Sequence, residues 1–294
     1  MEWKKNFLER YGKLTDMDKF IEFSEKPLRK SIRVNTIKTS VREMRKCFDL
    51  KPVPWCREGF FVEGRAIGNT LEHFLGYVYL QEAASMIPPV VLNPSSEDLV
   101  LDMCASPGSK TTQLAAMMKN KGLIVANDNE VSRLKPLSMN LQRCGVANAV
   151  ITLMEGRWFK TEFDNILVDA PCSGTGAIRK SPKTVGWWNP NFVRQMAGIQ
   201  KQLLDTAFKI LKPGGIVVYS TCTLEPEEDE GVVDALLGRH DDAKLQKISL
   251  DIKSSPPILE FGGKVYNPEI KKCLRLWPQD NDTEGFFVAK IKKL

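Results

Sequence analysis

From Asp98 onward the chain alternates short apolar runs with longer amphipathic ones, and this alternation restricts its fold more than any other feature. The runs 99–102, 122–127, 149–153, 163–169 and 215–219 read as strands. Helical spacing fills the gaps at 109–119, 131–144 and 190–211. Short, nearly continuous apolar strands suit a sheet buried on both faces, and strands alternating with helices make βαβ units. The expectation is an α/β fold: a parallel sheet with helices on both sides and ligands beyond the carboxyl ends of its strands. Asp102, Asp128, Asp169, Cys172 and Cys222 all fall at those ends.

The front of the chain reads differently. Residues 1 to about 25 suit one or two short amphipathic helices, and 31–37 alternates like a strand. Ser40 is placed to cap a helix carrying Val41, Met44 and Phe48, and 60–62 is a further short strand. A small α+β module is expected here, with the domain border at 92/93. Ser254-Ser255-Pro256-Pro257 marks a loop, and 285–291 returns to a strand pattern.

Net charge is +6, and residues 1–50 hold 13 Lys and Arg against 8 Asp and Glu. Lys26, Arg29, Lys30, Arg33, Lys38, Arg42, Arg45 and Lys46 crowd one stretch with a single acid, Glu43. Such a face suits a polyanion, whose counterions it would release. A merely solvated surface fits the same count. The apolar runs are too short to span a bilayer, and the first residues lack the apolar core of a signal peptide, so a cytoplasmic protein without membrane contact is expected. Seven cysteines, two histidines and no C-x-x-C pair argue against a metal site or a disulfide framework. Cys47, Cys56, Cys144 and Cys273 read as small hydrophobes. A His-activated nucleophile is disfavoured, with His73 left open.

Asp102-Met103-Cys104-Ala105-Ser106-Pro107-Gly108-Ser109-Lys110-Thr111 joins the first strand to its helix. Gly108 permits close backbone approach, and the helix start offers free N–H groups. Neither the phosphate-loop nor the G-x-G-x-x-G spacing is present, so an adenosyl ligand without phosphates fits better. Asp128 ends the second strand, where it can take both ribose hydroxyls; Glu155 follows the third, within reach of an adenine amino group. Each acid alone reads as a helix cap or turn. Together, around one glycine loop, they point to S-adenosylmethionine, whose sulfonium suits an acidic rim.

Two loop cysteines complete the pattern: Asp169-Ala170-Pro171-Cys172-Ser173-Gly174-Thr175-Gly176 and Ser220-Thr221-Cys222-Thr223-Leu224-Glu225-Pro226-Glu227-Glu228. These resemble the two signature motifs of the Sun-domain family of RNA 5-methylcytosine methyltransferases. The 102–111 loop is similar to that family's cofactor loop. Arg33-Val34-Asn35-Thr36, Gln81-Glu82-Ala83-Ala84-Ser85-Met86, Arg275-Leu276-Trp277-Pro278 and Glu284-Gly285-Phe286-Phe287 match as well. The resemblance spans roughly residues 27–294.

The resemblance implies a Rossmann-type class I methyltransferase sheet preceded by a small RNA-recognition-like module. It implies Cys222 as nucleophile, Cys172 as the residue assisting product release, and Asp169 holding the cytosine edge. It implies S-adenosylmethionine bound by Cys104, Ala105, Ser106, Pro107, Gly108, Ser109 and Lys110 with Asp128, Arg133, Glu155 and Asp169. The implied partner is RNA, tRNA of the archaeal type, met by a monomer; rRNA is the alternative target.

The chemistry needs such residues. Thiolate addition at carbon 6 makes carbon 5 of cytosine nucleophilic enough to take a methyl group. Charge developing near ring nitrogen 3 calls for a donor, and a protonated Asp169 or Lys110 would serve. Cys172 or a water would take the carbon-5 proton, and the base must be unstacked to enter. Arg179-Lys180-Ser181-Pro182-Lys183 with Trp187-Trp188 suits RNA phosphates and one stacked base, the other tryptophan filling the fold beneath. Two departures from the family pattern stand out. Glu155 replaces a common Asp, and Asp229 replaces a common Asn, exchanging a donor for an acceptor. The acidic run 225–230 reads as a helix N-terminal cluster. A DNA cytosine methyltransferase using Cys172, and a non-catalytic RNA-binding or assembly factor, are the competing readings.

Overall fold

The front of the chain supplies four short strands. The computed structural model describes residues 1–64 and 66–294. Helices α1 (Lys5–Tyr11) and α2 (Met17–Glu25) lead, the second capped by Asp16, which accepts from Lys19 N at 3.2 Å. Strand β1 (Ser31–Val34) ends earlier than the alternation suggests, and Ser40 caps only the single turn α3 (Val41–Met44). Strands β2 (Lys51–Val53), β3 (Cys56–Phe61) and β4 (Val78–Leu80), with the one-turn helix α4 (Leu71–Phe74) between the last two, complete an antiparallel sheet of order β2-β3-β1-β4. Its core holds Ile32, Val34, Phe48, Phe60 and Val78.

Helices α1 and α2 pack elsewhere. Phe7, Tyr11 and Phe20 bury their rings against Trp188, Leu224 and Trp277, from the far end of the chain. Arg33 is buried too, so it leaves the expected basic face: its Nε donates to Gln81 Oε1 at 2.8 Å and its Nη2 to Thr112 Oγ1 at 2.8 Å. A buried guanidinium survives only when its donors find acceptors, and the bond to Thr112 ties the front sheet to the helix at Ser109–Met117. Cys47 is half-buried rather than a core residue.

After α5 (Ile87–Leu92) the alternation runs as its spacing predicts. It passes through β5 (Leu99–Asp102), α6 (Ser109–Met117), β6 (Leu123–Asp128), α7 (Val131–Cys144), β7 (Ala149–Leu153) and β8 (Phe163–Asp169). Next come α8 (Lys183–Trp187), α9 (Pro190–Lys209), β9 (Leu211–Thr221), α10 (Glu230–Leu237) and β10 (Ala243–Gln246). A small hairpin, β11 (Glu260–Phe261) with β12 (Lys264–Val265), then β13 (Leu274–Leu276), α11 (Pro278–Asn281) and β14 (Phe286–Lys293) finish the chain.

The order is β10-β14-β9-β8-β5-β6-β7, with β13 on β14. Strands β5 to β9 are parallel, but β14 runs antiparallel to β9, and β10 and β13 antiparallel to β14. The five runs expected to form a parallel sheet do so, and the C-terminal strand pattern, whose direction an apolar run such as Phe286–Ala289 does not reveal, adds antiparallel strands that make the whole sheet mixed. One face is covered by α9 and α10 through Leu204, Phe208 and Val233, the other by α5 and α6 through Val91, Leu114 and Met118. The chain moves from β5 outward to β6 and β7, then returns to the other side at β8. That reversal opens a crevice beyond the ends of β5 and β8, the usual ligand position in open α/β sheets.

Candidate active site

Strands β8 and β9 are adjacent and parallel, with Asp169 beside Ser220, so both cysteine loops leave one rim. The loops are knitted together by Gly176 N donating to Cys222 O at 2.9 Å and by Thr223 Oγ1 within 2.8 Å of Ser173 Oγ and 2.9 Å of Thr175 Oγ1. Gly176 is required here, because a Cβ would stand 2.2 Å from the carbonyl oxygen of Gly285. The result is a sulfur–sulfur distance of 3.3 Å between Cys172 and Cys222. The hydrogen bond to Cys222, and then burial, hold the Cys172 thiol well above its ordinary value. Cys172 is thus held toward the thiol form beside the Cys222 sulfur.

Asp169 faces the pair from the end of β8. It accepts from Lys110 Nζ at 2.6 Å and from Ser220 Oγ at 2.8 Å. Burial opposes the charge on Lys110, but Asp169 outweighs it, with smaller help from Asp102 and Cys222, and the ammonium is held above its usual value. Lys110 Nζ also donates to Ser85 Oγ at 3.1 Å. Of the two candidates near the base edge, Lys110 is the donor in this bond and Asp169 the acceptor.

Two cavities meet at these residues. One, of about 280 Å³, is lined by Asp128, Arg133, Glu155, Cys172, Ile199 and Leu203 among others. The other, of about 340 Å³, is lined by Gln81, Ser85, Lys110, Lys180, Glu284 and Phe286 among others. Cys104, Ser106, Asp169 and Cys222 line both. The 102–111 loop is therefore a partition. Its Ala105, Pro107 and Ser109 face the second cavity, while Gly108 turns with φ +102° toward Leu137 of α7. Asp128 accepts from Ser106 N at 3.3 Å and Glu130 N at 3.2 Å, and pairs with Arg133 at 3.5 Å. Arg133 Nη2 donates to Ser106 O at 3.0 Å, so it braces the loop. Glu155 is half-exposed, and accepts from Asn129 Nδ2 at 3.4 Å.

A family model described as 16S rRNA methyltransferase RsmB/F matches residues 89–292. The chain belongs to the RsmB/F family. A second model, the N-terminal domain of 16S rRNA methyltransferase RsmF, matches residues 4–83. The tRNA (cytosine(49)-C(5))-methyltransferase of Pyrococcus abyssi is 46% identical over 299 residues, covering 98% of this chain and 96% of that protein. Ribosomal RNA small subunit methyltransferase F of Aliivibrio fischeri is 45% identical over 293 residues, covering 94% of this chain. The chain spans 60% of that relative's length. A solved methyltransferase homolog protein from Pyrococcus horikoshii superposes with a TM-score of 0.87 at 39% identity, covering 99% of this chain and 96% of that one. The family resemblance read from the motifs is thereby established, and this RsmB/F-family protein is a methyltransferase by family.

Other expectations for the RsmB/F-family chain are refined by its structure. The acidic run leads into the N-terminus of α10, as expected, and Glu225, Glu228, Asp229 and Glu230 are all buried there. Glu225 accepts from Tyr11 and Trp188 at 2.8 and 2.7 Å, which anchors α1 to the loop after β9. Asp229 accepts from Thr221 Oγ1 at 2.6 Å and pairs with Arg275 at 2.9 Å, so the departure from Asn is met by a cation. Arg179 is buried, donating to Pro27 O at 2.8 Å and pairing with Asp282 at 2.8 Å. Trp188 is the buried tryptophan; Trp187 is 73% exposed. His73 lies on α4 and lines neither cavity. Among the described residues no cluster suits a metal, and no helix is long and apolar enough to cross a membrane.

Sequence reasoning missed several residues around the site. Ser85 and Ser220 fix Lys110 and Asp169. Gln200 donates to Pro171 O and Glu228, both at 2.8 Å, and holds the Cys172 loop. Asp102, in sequence only a strand end, is a further such residue. It is buried, with Oδ1 lacking a hydrogen-bond partner, and burial pushes its carboxyl up to about 7.

Proposed function

We propose that this chain methylates carbon 5 of a cytosine in tRNA through a covalent adduct on Cys222, with S-adenosylmethionine as methyl donor. The observation that carries the reading is the pair of sulfurs 3.3 Å apart, with Cys222 at the seam of two cavities and Cys172 lining the first. One cavity then takes the donor and the other the unstacked base.

The first cavity suits the donor: it presents Asp128 and Glu155 and no phosphate-loop spacing. Asp128 would hold the ribose hydroxyls, Glu155 the adenine edge, and Cys104 to Lys110 with Arg133 and Asp169 the remainder. Bound there, S-adenosylmethionine supplies an electrophilic methyl on a sulfonium.

The Cys222 sulfur bonds to carbon 6 of the base, and the carbon 5–carbon 6 electron pair moves to carbon 5, which takes the methyl group. The Lys110 ammonium, paired with Asp169, offsets the charge developing around ring nitrogen 3. Loss of the carbon-5 proton to water then restores the double bond and expels the Cys222 thiolate. Cys172, which keeps its proton, donates a hydrogen bond to the departing sulfur. Residues 1–92 are read as the RNA-binding part and 93–294 as the methyltransferase domain, acting as a monomer in the cytoplasm.

The test is methylation of tRNA, rRNA and DNA in competition with a labelled cofactor, followed by mapping of the product base. 5-Methylcytosine in tRNA is expected. Product on a nitrogen or a ribose would sink the chemistry; preference for rRNA or DNA would sink the target. No incorporation into any of the three would favour an assembly factor.

A further inference from the structure

The base-side cavity holds a second group of acids that the scheme above leaves unused. Glu82 follows β4, Glu284 precedes β14, and 202 residues separate them. The fold brings them together: Glu284 N donates to Glu82 Oε1 at 3.2 Å, and Ser85 N donates to Glu82 Oε2 at 3.1 Å. Ser85 is also the residue whose hydroxyl accepts from Lys110 at 3.1 Å, so the acids and the reacting pair share one scaffold. Both carboxylates line the cavity that holds Lys110 and Cys222.

Glu284 differs from its neighbour in one respect. It is 5% exposed, and its Oε1 has no hydrogen-bond partner. Buried polar atoms are rarely left unpaired, because they lose water without regaining a bond. An acceptor kept free in a binding cavity is an acceptor for a ligand's donor. Burial, and then Glu284, push the Glu82 carboxyl up to about 8; burial raises Glu284 as well, against Lys180, Lys110 and Arg179. Glu82 thus retains a proton near neutrality, so the two acids together receive a donor without carrying two charges.

The bases that could enter differ little at the reacting carbons. Cytosine and uracil share carbons 5 and 6 and differ at position 4 and ring nitrogen 3. Cytosine offers an amino donor at position 4 where uracil has a carbonyl acceptor. A carboxylate meets the first with a hydrogen bond and the second with two acceptors facing each other. We infer that Glu284, braced by Glu82, accepts a hydrogen bond from the 4-amino group of the target base and so selects cytosine against uracil. The inference rests on the cytosine-5 reading above, and Glu284 acts on the base edge away from the bond-making carbons.

The test compares RNA carrying cytosine, uracil or 2-pyrimidinone, which has hydrogen in place of the amino group, at the mapped target. Wild type, Glu284→Gln and Glu284→Asp are assayed for kcat/KM, with cofactor affinity and Tm as controls. In wild type, removal of the amino group is expected to lower kcat/KM by about tenfold to hundredfold. Glu284→Gln loses a similar factor on cytosine, adds no further loss on 2-pyrimidinone, and narrows the cytosine-to-uracil ratio at least about tenfold. Glu284→Asp retains part of the preference. If the losses from variant and analogue multiply, or the ratio is unchanged, the inference fails. Should Glu284→Gln not fold, wild type alone decides: equal kcat/KM with and without the amino group overturns it. If wild type makes no 5-methylcytosine, the parent reading fails, and this one with it.

Discussion

The sulfur of Cys172 lies 3.3 Å from that of Cys222, each carried by the loop after one of two adjacent parallel strands. Their environments make them unequal. Cys172 is loaded with a proton by its bond to Cys222 and by burial, and Lys110 stands among the groups that sense charge on Cys222. Cys222→Ala is therefore expected to abolish turnover, by at least about a thousandfold, with no covalent RNA species. Cys172→Ala keeps addition but slows release, so an RNA–protein adduct accumulates on a denaturing gel. An adduct in the first variant and none in the second would reverse the roles.

Lys110 and Asp169 act as a unit, at 2.6 Å. Lys110→Met removes the cation lining the second cavity and leaves Asp169 with Ser220. A loss of about a hundredfold to a thousandfold in kcat is expected, with little change in KM for RNA. Single-turnover kinetics separates the two. A pure KM effect would make Lys110 a binding residue only.

The site's frame was legible because it rests on strand ends. Asp128, Asp169, Cys172 and Cys222 sit where apolar runs stop, and the topology puts such points on one rim. What sequence could not show was pairing across long separations. Arg33 and Arg179 count as surface charge until their acceptors, Gln81, Thr112 and the carbonyl of Pro27, are seen. Glu82 and Glu284 sat in recognised motifs without a role, because only the fold makes them neighbours. The antiparallel direction of β14 was hidden for a different reason: its burial leaves no alternation to read.

Asp229 tests the departure from the family pattern. Arg275 lies between Asp229 and Glu230, at 2.9 and 2.6 Å, with all three side chains fully buried. Removing the cation leaves two uncompensated buried carboxyls, so Arg275→Met is expected to cost about 3–5 kcal/mol in urea unfolding. Asp229→Asn keeps an acceptor for Thr221 and leaves Arg275 its bond to Glu230, so it should change stability by less than about 1 kcal/mol. Equal damage from both substitutions would show that the charge on Asp229, rather than its shape, is needed.

Trp187 is 73% exposed beside the buried Trp188, on the helix that follows the Cys172 loop. An exposed indole on this helix suits a stacked base, worth about 1–3 kcal/mol. Trp187→Ala should raise KM for tRNA about tenfold and leave kcat and Tm unchanged. Filter binding at two salt concentrations distinguishes stacking from charge, since loss of a stack leaves the salt slope as it was. An unaltered KM would remove Trp187 from the RNA surface.

Glu228 gives the stability of the fold a pH dependence. It is buried under the Cys172 loop, accepts from Ser173 N at 2.9 Å and Gln200 at 2.8 Å, and has Oε1 without a partner. Burial pushes its carboxyl from 4.5 up to about 7, against those two bonds. Below pH 4.5 both folded and unfolded chains hold the proton, and Glu228 adds no pH dependence. Between 4.5 and about 7 the unfolded chain releases it while the folded one keeps it, so stability falls as pH rises. Above about 7 the folded chain carries the buried charge, and the loss is complete. Glu228→Gln removes this titration but keeps an acceptor for Ser173. The Tm of Glu228→Gln minus that of wild type should therefore climb steadily from pH 5 to pH 8, whatever its constant offset. A difference flat across that range would mean that Glu228 is charged throughout, and that the Cys172 loop rests on a carboxylate rather than on a carboxylic acid.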